Sequence, residues 1–273
     1  MTGKVTGRSP WWWIPTLYFA EGIPYFIVNN ISVTMFTKMG VPNGEMALFT
    51  SLLYLPWTLK PLWSPLVDIF RTKRWWIVMM QALVSAAFVL LALTLPSPET
   101  STQVPMSLFT FTLLLFVFAA FASATHDIAA DGFYMIALDS GQQSFFVGIR
   151  STFYRLSSIF GQGVLVVVAG VLEEKTGNIP LAWSLTIGLT AVIFTILTIY
   201  HSFALPRPAG DSAVSTDGSG SAGEFAKAFA SFFRKPGVWI AIIFMLLYRL
   251  PEAFLLKMVN PFLLSPASEG GLG

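Results

Sequence analysis

Long apolar segments separated by short polar connections make up most of this chain of 273 residues. A helix that crosses the hydrocarbon core of a bilayer needs roughly 20 predominantly apolar residues. This criterion predicts seven membrane-spanning helices, at residues 11–37, 45–67, 75–95, 105–137, 145–171, 181–204 and 237–264. The pattern therefore predicts an all-α, polytopic membrane protein.

The first and the last predicted spans open on similar residues. Both carry a Leu-Tyr pair, at residues 17 and 247, and both place a proline and a glutamate (Glu21 and Glu252) shortly afterwards. Aligning the two pairs sets Asn30 opposite Asn260, although the glutamates themselves are offset by one position. A pattern that recurs after six spans is typical of internally duplicated transporters.

The duplication predicts three parts. Residues 1–205 form a six-helix transmembrane bundle, residues 206–236 a cytoplasmic linker, and residues 237–273 the first helix of an incomplete second bundle. The linker begins with a stretch rich in Gly and Ser, which predicts flexibility. It continues with phenylalanines at helical spacing beside basic residues, which predicts a short amphipathic helix on the inner leaflet.

The composition agrees with a membrane protein. Only 11% of the residues are charged and 55% are hydrophobic, whereas soluble domains carry about 25% charged residues. The chain has no cysteine, which excludes disulfides and thiolate metal ligands. Its two histidines, His126 and His201, are distant in sequence, so we expect no metal and no organic cofactor. The formal charge of +2 gives no indication of nucleic-acid binding.

Basic residues set the predicted orientation. Cytoplasmic connections carry an excess of Lys and Arg. The connections on one side of the predicted membrane contain only Lys38 and Lys175. The other side, formed by the amino terminus and the second and sixth connections, contains many more basic residues: Lys4, Arg8, Arg71, Lys73, Arg74, Arg207, Lys227, Arg234 and Lys235. We therefore expect a cytoplasmic amino terminus.

Glu21 and Lys60 are ionisable residues placed deep within predicted spans. Glu21 lies about ten residues into the first span, roughly 15 Å along the helix axis. Lys60 lies in the second half of an antiparallel neighbour, so both side chains reach a comparable depth. The pair indicates either a proton- or substrate-facing site or a structural ion pair between helices. Asn29 and Asn30 are further candidates to line the same pathway, although such groups also serve helix packing.

The end of the fourth span carries two acidic residues, Asp127 and Asp131, four positions apart and so on one helix face. The fifth span offers Arg150 and Arg155 as partners. Counting outward from the short connection between these spans sets Asp127 level with Arg155, and Asp131 level with Arg150. We expect a charge ladder with a structural or gating role rather than a substrate site.

Other polar residues have two open interpretations each. Asp68, followed by Arg71, indicates either a cytoplasmic gate or an ordinary basic connection with one solvated acid. His126 indicates either a proton relay, since a free imidazole has a pKa of about 6.5, or a hydrogen bond across a helix interface. In the seventh span, Glu252 lies one turn from Arg249, so this pair is expected to be neutralised within its own helix.

Residues 56–68 (PWTLKPLWSPLVD) and 124–131 (ATHDIAAD) resemble AmpG-type permeases of the major facilitator superfamily. The resemblance implies the first half of an architecture of about twelve spans, with two six-helix bundles around a central cavity. It also implies proton-driven import of anhydro-muropeptides, and related members transport acetyl-CoA. Asp68 matches the acidic residue of the superfamily's loop motif. Ser64 and Arg71 stand where that motif usually has glycine, and Ile69 stands where it usually has a basic residue.

The preferred hypothesis is a proton-coupled symporter that imports a muropeptide-like or other small solute across the bacterial inner membrane. Its partners are then the solute, protons and the lipid bilayer, with no nucleic acid. The alternatives are a seven-helix receptor or sensor, an inactive transporter fragment, and a membrane-embedded enzyme, which ranks last. A single bundle with one further helix leaves a central cavity open on one side, so we expect no transport by these 273 residues alone.

Overall fold

The computed structural model describes residues 9–39, 50–95 and 106–212 and individual positions between 223 and 248. The chain divides into two compact units, Met1–Ser215 and Thr216–Gly273. All the regular secondary structure in the described residues is helical. The expected boundaries at residues 205 and 236 remain predictions.

The first predicted span is a continuous helical segment with an irregular centre. Helix α1 (Ile14–Phe26) runs into a π-helical turn (Ile27–Ile31) and then into α2 (Ser32–Lys38). Pro24 lies inside α1 and lacks a backbone donor. The wider turn follows directly, and prolines and π-helical turns are each known causes of helix kinks.

The second predicted span is wrong as a single continuous helix. Residues 50–52 are helical, and from residue 55 the segment consists of α3 (Leu55–Thr58), a 3₁₀ turn (Lys60–Leu62) and α4 (Ser64–Ile69). Each of the last three pieces has a proline in its first two positions, where the missing N–H is tolerated. Pro56, Pro61 and Pro65 therefore restart the helix three times. Apolar composition alone does not register this interruption.

The remaining predicted spans of the first unit are present as long helices. They are α5 (Lys73–Thr94), α6 (Met106–Ala137), α7 (Ser140–Ile159), a π-helical turn (Phe160–Val164), α8 (Leu165–Thr176) and α9 (Ile179–Ala204). Four helical stretches are long and apolar enough to cross a membrane: Lys73–Thr94, Phe109–Ala137, Ser140–Thr176 and Ile179–Ala204. The fold class is confirmed as an all-α polytopic membrane protein.

Helix α9 shows the two faces that a membrane requires. Its buried face contributes Trp183, Ile187 and Phe194 to the apolar core. The opposite face is a stripe of exposed large aliphatic residues, Leu185, Leu189, Val192, Ile196 and Ile199. Exposed apolar surface of this extent is rare on soluble monomers. It suits contact with lipid.

Helices α1 and α7 pack closely, and this contact positions the polar site. Gly22 faces α7 without a side chain. A Cβ atom built there would lie 1.8 Å from Oγ of Ser157 and 3.3 Å from the carbonyl oxygen of Tyr154. The absence of that atom lets α1 approach the α7 backbone, so the neighbouring Glu21 is buried beside α7.

The second unit is described only at separate positions. Lys227, Ala230 and Ser231 are helical and exposed, and a further helical stretch begins at Val238. The predicted amphipathic helix and seventh span fall largely outside the described residues. Arg249 and Glu252 also lie outside them, so the predicted neutralisation within that helix stays a prediction.

Candidate functional site

A cavity of about 330 Å³ lies between α1 and α7. Residues of both helices line it: Tyr18, Glu21, Arg150, Ser151, Tyr154 and Arg155. Glu21 is only 8% exposed, and its Oε2 atom is buried with no hydrogen-bond partner. A buried carboxyl oxygen without a partner is unusual, because desolvation of a polar group is normally offset by a hydrogen bond.

At one edge of the cavity, an ion pair joins α6 and α7. Nη1 of Arg150 lies 3.1 Å from Oδ1 of Asp131, the partner expected from counting depth. The Tyr18 hydroxyl joins both groups, since it donates to Asp131 at 3.4 Å and accepts from Arg150 at 3.2 Å. The guanidinium also lies over the rings of Tyr18 and Tyr134, at 4.8 and 5.1 Å. Arg150 is therefore held on several sides.

The structure corrects the two other predicted pairings. Nζ of Lys60 lies 2.7 Å from Oδ2 of Asp127, and no ion pair within 4.0 Å joins Lys60 to Glu21. Asp127 likewise pairs with Lys60 and not with Arg155. The physical reason is the break at residues 59–63, which redirects the Lys60 side chain towards α6. Equal depth along two helices does not fix the direction in which their side chains point.

Asp127 is the most heavily contacted acid of the site. Its Oδ2 accepts hydrogen bonds from Lys60 and, at 3.1 Å, from Nε1 of Trp57. Its Oδ1 is buried without a hydrogen-bond partner and lies 3.9 Å from Nδ1 of His126. Asp127 is 6% exposed. This acid therefore joins the broken second segment to α6.

The charges around Glu21 come as two pairs. Asp127, Asp131, Lys60 and Arg150 all act electrostatically on its carboxyl. Each of the two cations already contacts an aspartate, at 2.7 and 3.1 Å. Glu21 is thus the acid of this group that has no cation in contact.

His126 is hydrogen-bonded across a helix interface, one of the two interpretations open for it, and belongs to a buried network whose other members gave no signal in the sequence. Its Nε2 lies 3.0 Å from Nε2 of Gln81, and Oε1 of Gln81 lies 3.0 Å from Nδ1 of His201. The other nitrogen of His201 lies 3.0 Å from Oγ1 of Thr16. The network thus links α6, α5, α9 and α1. Sequence distance hid it, because spacing gives no signal for residues brought together by tertiary packing.

Asp68 and Arg71 belong to a separate cluster at the start of α5. The Asp68 carboxylate pairs with Lys73, whose Nζ also donates to the Val67 carbonyl at 3.1 Å. The carboxylate of Asp211 accepts from the backbone N–H groups of Lys73 and Arg74, at 2.6 and 3.0 Å. No ion pair or hydrogen bond among the described residues links Asp68 to Arg150 or Arg155. Whether this cluster acts as a gate stays a prediction.

The backbone conformation at Arg71 explains why glycine would be expected at this position. Its φ is 64°, in the left-handed region that favours glycine. The loop motif of the major facilitator superfamily, which this turn resembles, usually has glycine at this position. The guanidinium lies 5.9 Å from the ring centre of Trp75. The chain thus keeps the left-handed turn although it has arginine in place of glycine.

The two asparagines of the first span lie in its π-helical turn. Nδ2 of Asn29 donates to the Tyr25 carbonyl at 3.0 Å, and its buried Oδ1 has no hydrogen-bond partner. Asn30 is half-buried, and its backbone carbonyl accepts from the Thr34 hydroxyl at 3.3 Å. Neither residue lines the cavity that contains Glu21.

Apolar helices around a buried cluster of charged side chains define a polytopic membrane protein with an intramembrane polar site. The chain matches the family described as the BT1 family over residues 21–254. It belongs to that family.

Individual relatives point the same way. The chain is 27% identical over 257 residues to a transporter candidate of Rickettsia conorii named AmpG 4, covering 90% of this chain and 58% of that protein. It is 24% identical over 257 residues to the anhydromuropeptide permease of Escherichia coli, covering 91% of this chain and 47% of the permease. The resemblance to AmpG-type permeases is confirmed. The chain spans roughly half the length of these relatives.

Proposed function

We propose that the chain is part of a secondary active permease that imports a small solute together with protons, with Glu21 as the proton-coupling residue. The observation that carries this proposal is the unpartnered carboxyl oxygen of Glu21 on the wall of the α1–α7 cavity. Membrane-embedded acids that line a cavity commonly serve as proton sites.

Glu21 is favoured over the two nearby aspartates because of their contacts. Asp127 is bonded to Lys60 and Trp57, and Asp131 is bonded to Arg150 and Tyr18. A proton that binds either aspartate weakens an ion pair that joins two chain segments. Glu21 can gain or lose a proton without breaking a direct contact of that kind. The two ion pairs are then candidates for contacts that change when the cavity opens to either side.

The proposed solute is a muropeptide, or another small molecule of similar size. The name of the Escherichia coli relative supports this choice, as does the match of residues 124–131 to the family pattern. The proposed location is the bacterial inner membrane with a cytoplasmic amino terminus. The distribution of Lys and Arg among the connections supports that orientation.

Proton-linked binding tests the proposal directly. The protein is reconstituted in lipid nanodiscs and titrated calorimetrically with an anhydromuropeptide in two buffers of different ionisation enthalpy. At a pH where Glu21 is ionised in the free protein, we expect binding to take up as much as one proton, because a coupled site changes its proton occupancy with its ligand. Glu21→Gln should bind without that uptake. Glu174→Gln, an exposed acid on α8, serves as the matched control and should behave as the natural protein does.

The same titration can contradict the proposal in two ways. Equal proton uptake by Glu21→Gln and the natural protein would remove Glu21 from the coupling role and leave solute binding intact. An absence of binding at every accessible concentration would contradict a muropeptide-like solute.

A further inference from the structure

Two hydrogen-bond donors of the cavity have no partner within the part of the chain that the structure describes. They are the Arg155 guanidinium and the Tyr154 hydroxyl, neighbours on α7 that both line the cavity. The other cavity arginine, Arg150, is bonded to Asp131 and Tyr18 and stacked on two rings. Unlike Arg150, Arg155 therefore has N–H groups that are open to a ligand in the cavity.

The sequence predicts that Arg155 pairs with an acid of the neighbouring helix, whereas in the structure that acid pairs with Lys60. Asp127, level with Arg155 by counting, is occupied by Lys60 and Trp57. An arginine that is free in a cavity wall presents a planar fork of N–H donors, whose geometry matches a carboxylate. The adjacent phenol adds a donor from the preceding residue. We propose that Tyr154 and Arg155 bind a carboxylate group of the transported solute.

This assignment rests on the proposed transport function and names the chemical class of its substrate. The class is a solute with a single negative charge at the bound end. Among the described residues that line the cavity, Arg155 is the one cation not already paired with an acid. A dianionic phosphate monoester would leave one charge uncompensated beside Glu21, so the charge balance favours a carboxylate.

The dimensions of the cavity indicate how much of the solute enters it. Its volume of about 330 Å³ is at the lower end of the range for small-molecule sites, ~300–1,000 Å³. A carboxylate with a few neighbouring groups fits there. The remainder of a muropeptide-sized molecule extends beyond the cavity, so the site recognises one end of the solute.

A pair of ligands tests the site without any change to the protein. The probe is an anhydro-disaccharide that carries one L-alanine and hence one free carboxylate. Its methyl ester is the uncharged counterpart. Dissociation constants are measured for both with the protein in nanodiscs. We expect the acid to bind about ten- to hundredfold more tightly than the ester, the range for one charge-assisted interaction.

Variants then locate that preference. Arg155→Gln should weaken binding of the acid to the level of the ester and leave the ester unaffected. Arg155→Lys, which keeps the charge and loses the fork, should restore part of the preference. Tyr154→Phe removes only the hydroxyl and should give a smaller loss. Arg207→Gln removes one exposed cation outside the cavity and should leave both dissociation constants unchanged.

The outcomes separate this proposal from the transport function. Equal binding of acid and ester, or a preference that survives Arg155→Gln, would overturn the carboxylate site and leave the proposed function standing. Binding of neither ligand would overturn the muropeptide-like solute and the site with it. Monodisperse elution and an unchanged helical circular dichroism spectrum establish that each variant is folded.

Discussion

Nζ of Lys60 lies 2.7 Å from Oδ2 of Asp127, and this contact ties the broken second segment to α6. The Lys60 side chain keeps 28% of its surface exposed, whereas that of Asp127 keeps 8%. The pair is thus buried at one end and accessible at the other. The contact therefore joins the two segments through one buried and one partly exposed group.

Removal of the Asp127 charge should destabilise the first unit. Asp127→Asn leaves Lys60 without its anion, and we expect a loss of about 1–3 kcal/mol in the free energy of unfolding. Lys60→Met introduced into that background should cost much less than it does in the natural protein. Chemical unfolding in detergent, followed by circular dichroism, measures both effects as a double-mutant cycle. Strictly additive losses would show that the pair contributes nothing.

Substitution of Gly22 should separate α1 from α7. In Gly22→Ala the new Cβ meets Oγ of Ser157 at 1.8 Å, so one helix must move. Overpacking of this kind typically costs about 1–3 kcal/mol. Ser157→Ala should recover part of the loss, because it removes the closest atom. Thermal unfolding of the single and double variants provides the comparison.

Gly148 is the matched control for that experiment. It lies on α7, and a Cβ atom added at this residue would have no neighbour within 4 Å, so Gly148→Ala meets open space. We expect a gain of about 0.5–1 kcal/mol there, because alanine favours the helix. A similar loss at both glycines would contradict the close contact at Gly22.

The turn before α5 should prefer glycine to other small residues at position 71. With φ at 64°, a side chain at this position is strained. A non-glycine residue in this conformation costs roughly 1–2 kcal/mol. Arg71→Ala is therefore expected to unfold about 1 kcal/mol more readily than Arg71→Gly, since neither variant retains the contact with Trp75. Chemical unfolding of both variants measures the difference, and equal stability would contradict the left-handed turn.

Much of the fold follows from the sequence because a membrane imposes one simple rule on composition. Four helices of the first unit coincide with predicted spans, since each needs an unbroken apolar stretch. The second span did not follow, because Pro56, Pro61 and Pro65 act on the backbone and leave the apolar pattern unchanged. Hydropathy registers side chains and is insensitive to a missing N–H.

The site shows the same division between local and tertiary information. Asp131 and Arg150 could be paired by counting, because α6 and α7 are joined by a short connection that fixes their relative depth. No such hairpin relates Lys60 to Asp127, so the count placed Lys60 beside Glu21 instead. Asp211, which caps α5 through its carboxylate, gave no signal in the sequence.

The hydrogen-bonded network of Thr16, His201, Gln81 and His126 couples the hydrogen positions on its two imidazole rings. The amide of Gln81 has one donating and one accepting end, and each end faces an imidazole. With its nitrogen towards His126, the amide requires a proton on Nδ1 of His201 and a bare Nε2 on His126. Rotation of the amide by half a turn reverses both requirements at once. The hydrogen positions on two rings of different helices are therefore coupled through one amide. The network gives α1, α5, α6 and α9 two alternative hydrogen-bond arrangements.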